Sequence, residues 1–89
     1  MQTVRLIIKG KVQGVFYRAS ARDTAEEMGI RGWVRNLPDD SVEIVATALP
    51  EQLYKFIEWC HEGPPRAEVE EVIVENLDLE EYKGFRIVR

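Results

Sequence analysis

The chain of 89 residues carries a single cysteine, Cys60, and a single histidine, His61. One cysteine closes no internal disulfide, and one cysteine with one histidine falls short of a Cys/His zinc site. Proline and glycine are sparse, at four and six residues, and no repeat, low-complexity tract or Gly/Ser linker divides the chain. No apolar run approaches the roughly 20 residues that cross a bilayer, and the first residues lack the charged start and apolar stretch of a secretion signal. These absences predict one soluble, cytoplasmic domain over residues 1–89 with neither a structural metal nor a membrane anchor, and a monomer is the default state.

What is present suffices for an unaided core. Apolar residues make up 45% of the sequence, and a chain of this size buries about 64% of its unfolded surface, leaving roughly 5,400 Å² exposed. The net charge is −4, unevenly spread: residues 1–36 sum to +4 and residues 37–89 to −8. An acidic molecule repels nucleic acid and anionic membranes as a whole, so the basic first third points to a small anion held locally. Random scatter of surface charge gives the same imbalance without any ligand.

Periodicity divides the chain into elements. Val4, Leu6 and Ile8 alternate, predicting a first strand over 3–9. Ala21, Ala25 and Met28 recur at helical spacing among charged residues, and Gly29 is placed to end that helix. Ile30 to Asn36 alternates again, and Leu37-Pro38-Asp39-Asp40-Ser41 reads as a turn into Val42, Ile44 and Ala46, a hairpin of strands two and three. Leu49-Pro50 opens a second helix with Leu53, Phe56, Ile57 and Cys60 on one stripe, and Gly63-Pro64-Pro65 stops it. Val69 to Glu75 is a fourth strand, where Val72-Ile73-Val74 interrupts the alternation and marks either a bulge or burial on both faces. Phe85 to Val88 adds a short last strand.

The order βαββαβ suits a ferredoxin-like α/β sandwich, an antiparallel sheet with both helices on one face and a short fifth strand at the end. Right-handed crossovers place strands one and three side by side at its centre. Fold alone settles no function.

The chemistry concentrates in Gly10-Lys11-Val12-Gln13-Gly14-Val15-Phe16-Tyr17-Arg18, between the first strand and the first helix. Gly14 permits positive φ, and the amides from Gly14 through Val15, Phe16, Tyr17 and Arg18 can converge on an anion at a helix N-terminus. Arg18 supplies a planar fork for two phosphate oxygens. The bland reading is an ordinary strand-to-helix connection followed by a solvated arginine. The loop is neither a Walker sequence nor Gly-x-Gly-x-x-Gly, which disfavours nucleotides. A second stretch, Gly32-Trp33-Val34-Arg35-Asn36, ends its strand on a carboxamide that either caps the turn or orients a water beside a bound phosphate.

Together these stretches resemble the acylphosphatase family, whose signatures read Gly-x-Val-Gln-Gly-Val-x-(Phe or Met)-Arg and Gly-aromatic-Val-Arg-Asn, and the resemblance covers essentially the whole chain. It implies hydrolysis of acyl phosphates to a carboxylate and inorganic phosphate without metal or cofactor. It further implies that Arg18 binds the phosphate, that the amides of Gly14 to Arg18 cradle it, and that Asn36 positions the nucleophilic water. Tyr17 departs from the signature's Phe or Met, and Asp40 and Ala48 stand where the family has glycine. A rival on the same fold is a noncatalytic or carbamoyl-phosphate-specialised anion-binding module, as the likeness to accessory domains of larger hydrogenase-maturation proteins implies.

Other residues tempt less. His61 falls at the end of the second helix, where a cation meets the dipole. Cys60 completes an apolar stripe. Asp39 and Asp40 are turn formers before they are metal ligands. An RNA-binding sheet of this topology needs exposed aromatics on its central strands, and Lys11 stands where the first such aromatic belongs.

Overall fold

In the computed structural model, which describes all 89 residues, the period-two run at the N-terminus forms β1, Gln2–Lys11, with Val4, Leu6 and Ile8 buried on one face. The Ala21/Ala25 stripe forms α1, Tyr17–Glu27, closed by Gly29 at φ 71°. Then follow β2, Arg31–Asn36, and β3, Val42–Ala48. Helix α2, Pro50–Glu62, begins at its proline and buries Leu53, Phe56 and Cys60. The chain finishes with β4, Glu68–Leu77, and β5, Phe85–Ile87. No helix is long and apolar enough to cross a membrane.

The five strands lie in the order β4-β1-β3-β2-β5, with β1 and β3 central and antiparallel, Leu6 opposite Ile44. This is the ferredoxin-like arrangement, with one correction: β5 runs parallel to β2, Trp33 opposite Arg86, so the sheet is mixed rather than wholly antiparallel. The reason is the link from Leu77 to Phe85. It leaves the β4 edge, crosses the helix-free face and reaches the far edge in the direction of β2. Thr3 and Thr47, 2.7 Å apart on neighbouring central strands, pin it: the Glu80 amide donates to the Thr3 hydroxyl at 2.9 Å and the Thr47 hydroxyl donates to the Glu80 carbonyl at 2.6 Å.

The fourth strand is not buried on both faces. Ile73 and Val74 are exposed because β4 is an edge strand, and the bulge falls nearer its start, where Lys9 pairs with Glu71 but Gly10 with Val69. The core fills the other face: Val4, Leu6, Ile8, Ile44, Ala46 and Ala48 from the sheet meet Ala21 and Ala25 of α1 and Leu53, Phe56 and Cys60 of α2. Alanine at two of the α1 contact positions lets that helix lie close to the strands, while each large apolar side chain taken out of water contributes about 1.5–3 kcal/mol. Ala48, fully buried in this core, carries no positive φ and is simply a packing residue.

On the opposite face Glu43 is buried between two arginines: Arg5 Nε lies 2.5 Å from one carboxylate oxygen and Arg35 Nε 2.6 Å from the other. Burial opposes ionisation of this carboxyl, yet the paired guanidinium hydrogen bonds prevail and hold it below its ordinary 4.5. Arg35 also covers the ring of Trp33, 5.3 Å from its centroid. The central strands present Thr3, Arg5, Glu43, Val45 and Thr47 on this face, with no aromatic among them.

Candidate active site

Where β1 ends, the chain passes through Val12, Gln13 and Gly14 into α1. Gly14 adopts φ 73°, a conformation open to glycine, and a Cβ there would meet nothing within 4 Å. The φ, not crowding, selects glycine. Phe16, the N-cap of α1, is also left-handed, at φ 66° and ψ 21°, and its ring is 68% exposed. Such backbone costs an L-residue roughly 1–2 kcal/mol. No side chain caps this helix start and its first turn holds no acidic residue. Outside the regular elements, Ser20 donates to the Phe16 carbonyl at 3.0 Å, while the amides of Gly14 to Ala19 donate to no backbone carbonyl. A helix N-terminus with unspent amides, no competing carboxylate and Arg18 in its first turn has the chemistry to accept an anion.

Asn36 stands at the end of β2, against the turn into β3. Its Oδ1 is buried without a hydrogen-bond partner, a state that ordinarily costs 1–3 kcal/mol. The turn beyond it is organised by Asp39, whose carboxylate accepts from the Ser41 amide at 3.1 Å and from the Ser41 hydroxyl. These bonds hold the Asp39 carboxyl below its ordinary 3.8. Asp40 takes φ 73°, so the left-handed position belongs to an aspartate where the family pattern has glycine.

A cleft of about 280 Å³ lies between these pieces, lined among others by Gly14, Phe16, Tyr17, Arg18 and Asn36. All but one of the residues expected in the site therefore meet at one place. The exception is Val15, whose side chain turns into the core. Sequence reasoning missed Ile87 and Arg89, which form the far wall. They arrive only because β5 lies beside β2, a pairing no local pattern encodes.

Tyr17 contributes backbone to the cleft, and its side chain points away. The ring packs against Trp59 at 5.4 Å between centroids, and the buried hydroxyl donates to the Cys60 carbonyl at 2.7 Å. Burial, with the neighbouring Cys60 side chain, raises the phenol above its ordinary value. Cys60 is enclosed in the core, and burial pushes its thiol up to about 12, which denies it thiolate chemistry. His61 is exposed in the last turn of α2, outside the cleft. Trp59 stacks on Phe56 with ring centroids 6.1 Å apart, a packing role. No three His, Cys, Asp or Glu side chains gather where they could hold a metal ion.

The family model described as acylphosphatase matches residues 4–87. An acylphosphatase of Marinobacter nauticus is 56% identical over 82 residues, covering 91% of this chain and 89% of its own. The crystal structure of the acylphosphatase from Bacillus subtilis superposes with a TM-score of 0.97 at 34% identity, over 100% of both chains. That of HypF from T. kodakarensis gives 0.82 at 31% identity, covering 98% of this chain and 12% of the larger protein. By sequence, by fold and by both signatures, the chain belongs to the acylphosphatase family of acyl phosphate hydrolases.

Proposed function

We propose that the protein cleaves the carboxyl–phosphate bond by direct attack of a water held at Asn36 on a phosphate held by Arg18 and the amides of the 14–18 loop, with no metal. The observation that carries this reading is the meeting of Asn36, Arg18 and the uncapped start of α1 in one cleft. The Asn36 carboxamide hydrogen-bonds the water and leaves an oxygen lone pair directed at phosphorus. The water oxygen–phosphorus bond forms, the bridging oxygen–phosphorus bond breaks, and the electron pair leaves with the carboxylate. One water proton passes to a phosphate oxygen, and the second stays on the new hydroxyl.

An acyl phosphate is a mixed anhydride whose leaving group is already a stable anion, so no strong general acid is required. Asn36 has no useful basicity, and the buried Cys60 and remote His61 offer no nucleophile. What remains for the protein is positioning and charge, the usual division of labour in phosphoryl transfer. The same reading takes the protein as a cytoplasmic monomer, a state that sedimentation would check against the 10.3 kDa of one chain.

Benzoyl phosphate turnover, measured with and without a chelator beside a simple phosphomonoester, tests the proposal. Chelator-resistant hydrolysis of the anhydride alone is expected. Losing a principal phosphate contact costs about 3–4 kcal/mol of transition-state stabilisation, so Arg18→Ala should lose phosphate binding and turnover together. Asn36→Ala should lose turnover while phosphate still competes. Unchanged phosphate affinity in Arg18→Ala would refute the assignment. Phosphate binding without any turnover of the wild type would favour the noncatalytic module instead.

A further inference from the structure

Three parts of the chain line the cleft, and two of them are joined by no direct backbone pairing: the 12–19 loop, carrying the cradle, and Asn36 with the hairpin turn that begins just after it. One side chain bridges them. Gln13, immediately before Gly14, directs its carboxamide across the gap, and Nε2 donates to the Leu37 carbonyl at 2.9 Å and to the Ser41 carbonyl at 2.8 Å. Both protons of that amine are spent, as its chemistry allows. The other side-chain hydrogen bond from this loop, Tyr17 to Cys60, goes to α2.

The acceptors lie at the neck of the turn. Leu37 donates its own amide to the Ser41 carbonyl at 2.9 Å, Asp40 donates to the Leu37 carbonyl at 3.2 Å, and Asp39 ties the tip to Ser41. The turn is thus one hydrogen-bonded unit, and Asn36 is covalently joined to it. A displacement of Gln13 relative to this unit is a displacement of the phosphate cradle relative to the carboxamide. Misplacing reacting groups by about 1 Å costs on the order of a hundredfold in rate.

We propose that Gln13 is a positioning residue for hydrolysis: by clamping the hairpin neck to the cradle loop, it sets the distance between bound phosphate and the water at Asn36. This rests on the reading of Asn36 given above. Gln13 also lines the cleft, but its amine faces backbone carbonyls and needs no contact with substrate.

The test compares wild type, Gln13→Met, Gln13→Glu, Asn36→Ala and the Gln13→Met/Asn36→Ala double variant. It reads benzoyl phosphate kcat, inhibition by inorganic phosphate, and thermal midpoint, with kinetics taken well below the lowest midpoint. Methionine keeps the length and removes both donors, so kcat should fall by about ten- to a hundredfold while phosphate inhibition stays within twofold. In the Asn36→Ala background the same change should cost nothing further, because no held water remains to misplace. Glutamate opposes two carbonyls when ionised but donates one hydrogen bond when protonated, so Gln13→Glu should regain turnover relative to wild type as pH falls from 7 to 5. A lowered midpoint with wild-type kcat in Gln13→Met would make the residue a mere staple and overturn the inference, as would full additivity in the double variant. Wild-type turnover in Asn36→Ala would overturn the underlying reading of that residue, and the inference with it.

Discussion

Tyr17 sits inside the first signature, the proposed phosphate cradle, yet its hydroxyl serves stability, and Tyr17→Phe should separate the two. In α2 the Cys60 carbonyl would ordinarily accept from the amide four residues on, but that residue is Pro64, which has none. Gly63 is already spent, donating to the Trp59 carbonyl at 2.7 Å. The Tyr17 hydroxyl takes the vacant place from the first turn of α1. Tyr17→Phe leaves the ring on Trp59 and strands a buried carbonyl, at a cost of about 1–2 kcal/mol. That lowers the thermal midpoint of a domain this size by roughly 4–16 °C. Alkali adds a second signature. The folded phenol is raised above its ordinary 10.0, so above that pH the unfolded chain releases a proton that the folded chain retains. Stability therefore falls as pH rises, by about 1.4 kcal/mol per pH unit for this one group. The phenylalanine variant lacks that loss, so the gap between the two proteins should narrow by about 1 kcal/mol on going from pH 10, where the unfolded phenol is already half ionised, to pH 11. Urea melts at pH 7, 10 and 11, with benzoyl phosphate turnover at pH 7, measure all of this. Equal stability at pH 7, or a tenfold loss of kcat in a folded variant, would refute the placement of the hydroxyl.

Other outcomes follow from single features. Glu43→Gln should cost about 1–2 kcal/mol at pH 7, below the roughly 3–5 kcal/mol of a fully buried broken pair because both arginines are partly exposed. Because the folded carboxyl is held below 4.5, the wild type should lose that advantage as pH falls below this value, and urea melts at pH 7 and 3 should show the two converging. Asp40→Gly should raise stability by about 0.5–1 kcal/mol, since φ 73° suits glycine better; a lower midpoint would mean that the aspartate side chain supports the turn. Cys60→Ser should destabilise by about 1–3 kcal/mol, because a fully enclosed hydroxyl lacks a designed partner. Reaction of native protein with a thiol reagent should be slow, and rapid labelling would contradict the enclosure of Cys60.

Local pattern carried the helices, the hairpin and the central pair of strands, since period and punctuation are short-range signals: Ala21 and Ala25 for α1, Pro50 and Gly63 for the ends of α2. Gly14, Phe16, Tyr17, Arg18 and Asn36, which line one cleft, stood out in the sequence because they lie within two short segments. What escaped depended on tertiary arrangement. Three residues, Phe85 to Ile87, do not encode whether their partner runs beside or against them. Val72-Ile73-Val74 reads as a buried run, but position at the sheet edge leaves two of the three in water. The Tyr17 hydroxyl and the Gln13 amide both find carbonyls more than 20 residues away, and only the closed fold brings these within reach.

The strand order has a kinetic meaning. Of the four neighbour pairs in the sheet, only β2 with β3 joins consecutive strands; the remaining three wait for distant segments to find each other. A topology of this sort nucleates slowly for its size. The wall holding Ile87 and Arg89 is contributed by a segment that follows the other four strands, and it closes against a strand some fifty residues earlier in the chain. Regain of turnover after dilution from denaturant should therefore lag behind recovery of the hairpin, so that activity serves as a clock for the final docking event.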